Sequence, residues 1–352
     1  MSTTAGLSPA AIKEVDVSRQ VDEVMGLPEQ LRDALWRVQS AGLQPHDSPG
    51  GLVVAGMGGS SIGGALARAV LGDRASRPIV LARGYELPAW TTPDTTVLCQ
   101  SYSGNTEETL AVYEATQALG ARTIVVTTGG KLAAQARADG VPVIPLPGGF
   151  QARAAVAYWL VVALEVAGLC GAGERLHAEV DVAAEHVDAL VQSWGPVSAE
   201  DSLAKTLARG LHGTVPQIVG AELTEPIAYR WKTQLNENSK SPAFSAVLPE
   251  MCHNELVGWE GAKSLGQFSA IFLDDSDLHP RVRQRIELTR GLIASLGGST
   301  FRVESIGHTR LERLLSLVLL GDLVSLYLAV LRLVDPAPVE ASEALKAALQ
   351  GG

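Results

Sequence analysis

Small and hydroxylated residues crowd into Gly56–Gly64, where Gly58, Gly59, Ser60 and Ser61 separate the apolar run Leu52–Ala55 from a helical pattern at Ala65–Val70. A strand breaking into glycines and then into a helix lets backbone N–H groups approach an anion closely. The helix start adds partial positive charge. No Gly-Lys-Ser/Thr follows, so the loop is not a nucleotide P-loop. As a dinucleotide fingerprint it carries Ser61 in the third glycine place, and no acidic residue ends the next strand. Two readings stand: a plain tight turn, or a phosphate site without a nucleotide.

A second cluster favours the phosphate. Ser101, Ser103, Thr106 and Thr109 surround Gly104 between an apolar run ending at Gln100 and a helical pattern from Leu110. N-capping would account for one such residue, not for four. In a parallel sheet both corners lie at the carboxyl ends of strands, where ligands bind.

Two further stretches could move protons. Glu237 stands between Asn236 and Asn238, with Ser239 and Lys240 following. It could be a positioned general base or a solvated helix end. Met251–Leu256 contains His253, with Glu255 two residues on; this histidine could be structural or catalytic. Arg153 follows the turn at Pro147–Gly149, at another strand-to-helix corner, where it could face a bound anion.

The elements that must hold these residues alternate. Apolar or β-branched runs at 78–82, 96–101, 123–128 and 141–146 are expected as strands. Helical patterns at 110–119 and 131–138 separate the later ones. Residues 9–42 are expected to be helical with Pro28 interrupting, and 151–210 mostly helical. Strand candidates return at 215–220, 269–274 and 300–304, with helices over 226–235 and 280–296. The expected fold is α/β, two similar units with parallel sheets. The divisions are an N-terminal helical segment, 1–45, a first domain, 46–190, and a second domain with C-terminal helices, 191–352.

The formal charge of −10 argues against a nucleic-acid partner. Cys99, Cys170 and Cys252 are too few and too widely spaced for a disulfide framework or a zinc site, which suits a reducing cytoplasm. No metal-ligand spacing occurs among the seven histidines, so no metal and no cofactor is expected. The N-terminus lacks the basic start and apolar core of a signal peptide. The apolar stretches 154–170 and 314–333 carry Glu165 and Asp322, and both are expected as buried core helices rather than membrane spans.

Taken together, Gly58-Gly59-Ser60, Ser101 to Thr109, Asn236-Glu237-Asn238 and His253-Asn254-Glu255 resemble the bifunctional phosphoglucose/phosphomannose isomerases of the sugar-isomerase (SIS) superfamily. The resemblance runs from about residue 50 to the C-terminus. It implies two SIS-type α/β/α sandwich units in a cytoplasmic homodimer that serves glycolysis and gluconeogenesis. Gly58, Gly59, Ser60, Ser101, Ser103 and Thr106 would hold the phosphate of a hexose 6-phosphate. Glu237 would shuttle a proton between C1 and C2, and Arg153 would stabilise the enediolate. His253, similar to a histidine given by the neighbouring subunit, would assist ring opening, and Lys346 resembles the ring-opening lysine. Two other readings share the phosphate corners: a non-catalytic SIS sugar-phosphate sensor, and an amino-sugar phosphate isomerase or deaminase. Neither accounts for Glu237 and His253 together.

Overall fold

The computed structural model describes residues 6–350, so any reading of the first five and last two residues lies outside it. Three helices open the chain, α1 (Pro9–Val15), α2 (Gln20–Met25) and α3 (Leu27–Ser40). Pro28 begins the third rather than breaking one long helix, because a first-turn proline loses no intrahelical hydrogen bond.

The first sheet comprises β1 (Leu52–Ala55), β2 (Ile79–Ala82), β3 (Thr96–Gln100), β4 (Arg122–Thr127) and β5 (Val143–Pro145), all parallel, in the order β2-β1-β3-β4-β5. Every residue of β1 and β3 is buried, as expected of strands covered on both faces. Helices α4 (Ile62–Leu71), α5 (Glu107–Leu119) and α6 (Gly130–Ala138) connect them. Alternate residues of the sheet divide its packing. Val53, Val97 and Val125 meet α5 and α6, whereas Leu52, Val54 and Leu98 face the interior of the molecule.

Helices α7 (Val156–Leu169), α8 (His177–Trp194) and α9 (Leu203–Leu211) follow. The second sheet is parallel in the order β7-β6-β8-β9, from β6 (Val215–Gly220), β7 (Phe244–Val247), β8 (Phe268–Asp274) and β9 (Ser299–Glu304). Strand β7 is absent from the sequence reading: it is a four-residue edge between prolines, with Phe244 exposed. Helices α10 (Glu225–Ser239) and α13 (Arg310–Leu331) pack on the inner face of this sheet; α11 (Trp259–Leu265) and α12 (Pro280–Ser295) cover the outer face. Helix α14 (Glu340–Gln350) ends the described chain.

The inner faces of both sheets share one apolar core with α3, α4, α7, α8, α10 and α13. The architecture is therefore α/β/α/β/α, with a central helical layer common to both sheets. Helix α13 is apolar and long enough to cross a bilayer, but every residue from Leu311 to Val330 is buried within the protein. Its start is fixed by a capping box, in which Thr309 Oγ1 accepts from the Glu312 N–H and Glu312 accepts from that of Thr309.

Candidate active site

Strands β1 and β3 are neighbours, but their outgoing helices cover opposite faces: α4 joins the central layer and α5 the outer one. Such a switch point opens a crevice beyond the strand ends. On one side of it lies the turn Gly58–Ser60, where Gly58 takes φ +53°, a conformation costly for other residues. Ser60 Oγ accepts from the Tyr102 N–H at 3.3 Å and so ties this turn to the loop after β3.

On the other side, Ser101 is buried and shapes the loop from beneath. Its Oγ accepts from the Gly104 N–H at 3.1 Å and pairs with Thr106 Oγ1 at 2.9 Å. Thr106 occupies the N-cap position of α5 without using its side chain as a cap. Ser103 is exposed, and its Oγ accepts from the Asn105 N–H at 3.2 Å. Hydroxyls and a helix N-terminus thus lie together at the strand ends, an arrangement chemically suited to an anion such as a phosphate. Replacing Ser103 and Thr106 together by alanine should weaken hexose 6-phosphate binding about a hundredfold, the order expected for two charge-assisted hydrogen bonds. Titration calorimetry would check this, and unchanged affinity would remove both hydroxyls from the site.

The second sheet repeats the strand order, so the ends of β6 and β8 correspond to those of β1 and β3. There the chain presents Asp274, Asp275 and Asp277. Arg302 pairs with Asp274, and Arg313 with Asp275 and Asp277. That corner is acidic and internally neutralised, which disfavours a second phosphate.

Arg153 lies just before α7, under the first crevice. A Cβ on Gly59 would come to 3.0 Å from Ala152 and the Arg153 Cα, so a side chain there would press on the Arg153 backbone and the Gly58–Ser60 turn packs against it most closely as glycine. The Arg153 side chain is 6% exposed and makes a full set of contacts. Nε donates to Asn238 Oδ1 at 2.7 Å, Nη2 to the Pro336 and Ala337 carbonyls at 2.9 and 3.2 Å, and Nη1 to Glu237 Oε2 at 3.4 Å. Burial pulls the guanidinium below its usual pKa, and the Glu237 and Glu23 carboxylates oppose that shift. Glu237, in the last turn of α10, is 39% exposed. A buried, anchored cation beside a half-open carboxylate suits proton abstraction with stabilisation of the resulting oxyanion.

Helices α10 and α13 brace this pair. Arg230 is buried with Asp322, at 3.0 Å from Nε to Oδ1 and 2.6 Å from Nη2 to Oδ2, and its Nη2 also donates to the Arg153 carbonyl at 2.9 Å. Gln234 Nε2 donates to the same Asp322 carboxylate at 3.0 Å.

Two expected members stand elsewhere. Helix α10 starts at the carboxyl end of β6 and runs back, so Glu237 lies about 18 Å along it from Glu225, level with the start of β7. His253 follows the carboxyl end of β7. Its near neighbour Met251 is packed into the outer-face core, whereas Ile227 and Leu235 of α10 belong to the inner one. The second sheet therefore separates Glu237 from the exposed His253 of the same chain. Lys346 lies on α14, whose described side chains are all exposed, and the structure does not bring it to Glu237.

Residues given no role from sequence also reach the site. Glu23 of α2 accepts from the Gln151 N–H at 3.2 Å, and burial raises its pKa. Lys240 Nζ donates to the Glu237 carbonyl and, at 3.0 Å, to that of Pro336. Nothing in the local pattern near Glu23 marks it. Lys240 lies within the stretch containing Glu237, but its bond to the Pro336 carbonyl, 96 residues away, leaves no local mark. Among the described residues, no three His, Cys, Asp or Glu side chains are grouped to hold a metal ion.

Residues 200–349 match the family model of the bacterial phospho-glucose isomerase C-terminal SIS domain. A bifunctional phosphoglucose/phosphomannose isomerase of Caldicellulosiruptor bescii is 41% identical over 330 residues, 92% of this chain and 97% of that protein. One from Aquifex aeolicus is 34% identical over 316 residues, 90% of this chain and 94% of that protein. Among solved structures, a hypothetical protein from Thermus thermophilus superposes with a TM-score of 0.74 at 16% identity, covering 97% of this chain and 94% of that one, a likeness of fold.

Proposed function

The chain belongs to the bifunctional phosphoglucose/phosphomannose isomerase family, and on that premise we propose that Glu237 and Arg153 carry its proton transfer. The activity is the reversible aldose–ketose isomerisation of glucose 6-phosphate and fructose 6-phosphate, with mannose 6-phosphate as the second aldose. The supporting observation is a short connected path: the phosphate turn rests on Arg153 through Gly59, and Arg153 reaches Glu237.

With the phosphate held by Gly58, Gly59, Ser60, Ser103 and Thr106, and Ser101 supporting their loop, the open-chain sugar extends toward Arg153. The Glu237 carboxylate takes the hydrogen from C2 of the aldose. The electron pair moves into a C1–C2 double bond, and charge gathers on O1, where the Arg153 guanidinium stabilises it. The O2 hydroxyl proton passes to O1, the charge moves to O2, and collapse of that oxyanion to the C2 carbonyl returns the proton from Glu237 to C1, which gives the ketose. Starting from the ketose, return to either face of C2 gives glucose or mannose 6-phosphate through one shared enediol. Holding the phosphate fixes the reacting carbons, so its binding energy contributes to rate as well as affinity. Assaying both aldose phosphates from fructose 6-phosphate, with chelator present, tests the reading. Binding without turnover would favour a sugar-phosphate sensor.

Because the second sheet stands between His253 and Glu237 of one chain, we propose a homodimer in which each subunit supplies His253 to its partner's site, where it assists ring opening. Mixing Glu237→Gln with His253→Ala subunits should then restore up to about a quarter of wild-type activity on random reassortment. Half the dimers are then mixed, and each has one intact site. Two inactive variants that never complement would place His253 in its own subunit's site. Lys346 could join the site only by movement of α14, and its role in ring opening is proposed on resemblance alone.

A further inference from the structure

We propose that Ser325, in the buried middle of α13, is a positioning residue for the isomerisation, acting on Arg153 through Asn238. The inference rests on the role given to Arg153 above. Ser325 and Asn238 are 0% and 2% exposed, so neither meets substrate. Ser325 Oγ donates its single hydrogen to the Asp322 carbonyl one turn back, at 2.7 Å. Only lone pairs then face Asn238, whose Nδ2 donates to Ser325 Oγ at 2.9 Å.

The consequence is directional. With its NH2 committed to Ser325, the Asn238 amide must turn its oxygen to Arg153, and Oδ1 accepts from Nε at 2.7 Å. The reversed amide would set a donor against a donor at that distance. Arg153 is thereby gripped from α13 at both ends. Ser325 fixes its Nε edge through Asn238, and Asp322 fixes its backbone carbonyl through Arg230. The guanidinium nitrogen held most loosely, and so the one available to the sugar, is Nη1, whose contacts to Glu237 Oε2 and Gln151 Oε1 are both 3.4 Å. Without the Ser325 hydroxyl the amide loses the partner that sets its rotation, and the guanidinium can turn into a closer pair with Glu237, away from the developing oxyanion.

Three variants test this. Ser325→Ala removes the hydroxyl, and Ser325→Cys keeps its approximate volume with a much weaker hydrogen-bonding atom. Ser325→Thr keeps a hydroxyl able to bond the preceding turn. We expect kcat to fall about 10- to 100-fold in the alanine and cysteine variants, with KM within about threefold of wild type. The threonine variant should recover most of the rate. Wild-type kcat in both alanine and cysteine variants, or an equal loss in the threonine variant, would overturn the proposal. If Ser325→Ala does not fold, the cysteine and threonine pair decides it. Arg153→Lys separates the two levels: a wild-type rate there contradicts the role of Arg153 itself. A slow Arg153→Lys beside fast Ser325 variants removes only Ser325.

Discussion

Replacing Glu237 by glutamine should lower kcat by about 1,000- to 10,000-fold while hexose 6-phosphate affinity changes little. Glutamine keeps the volume and a carbonyl oxygen for Arg153 Nη1, so the turn of α10 and the 3.4 Å contact can persist. What is lost is the group proposed to accept the C2 hydrogen, and that rate loss is equivalent to about 4–5.5 kcal/mol of transition-state stabilisation. The crevice proposed for the phosphate is built from loops after β1 and β3 and does not include α10, so binding should survive. Steady-state kinetics with calorimetric binding would show the split. A variant within tenfold of wild type would remove Glu237 as the base.

The second large effect is expected at Arg153. Arg153→Lys preserves one positive charge but cannot reproduce the fork that contacts Asn238, Pro336, Ala337 and Glu237 at once. The account predicts a loss of about 100- to 1,000-fold in kcat, the scale of removing one aligned oxyanion donor. Part of the effect should appear as instability. Carbonyls left without donors in a buried site cost about 1–3 kcal/mol each, so thermal unfolding belongs beside the kinetics. A variant that melts early but turns over normally would make Arg153 a structural anchor. A variant that is stable but slow supports its role toward the enediolate.

How far the sequence reveals this arrangement depends on whether the signal is local. Both strand-to-helix corners proposed for the phosphate are written in contiguous residues, because a strand end, a glycine turn and a helix start each leave a mark within a few positions. Strands β1, β3 and β4 are likewise apolar runs, legible because both of their faces are buried. Strand β7 is short, half-exposed and at an edge, so it shows no such run. Asp322 is visible as an anomaly, a carboxylate inside an apolar helix, but its partner Arg230 lies 92 residues away and no pattern joins them. Asn238 stands out as a neighbour of Glu237, whereas its part in aiming Arg153 depends on Ser325, an unremarkable serine in a buried helix. The separation of His253 from Glu237 is not legible from spacing. Sixteen positions apart in sequence, they are parted because a helix runs back along one face of the sheet and the loop after β7 packs on the other.

The most direct test of the central claim is NMR of fructose 6-phosphate turned over in D2O by chelator-treated protein. Proton transfer through a shared enediol predicts deuterium at C2 of both glucose and mannose 6-phosphates, and its loss in Glu237→Gln. Undiminished formation of both aldose phosphates, or undiminished deuterium incorporation, in the glutamine variant would contradict it.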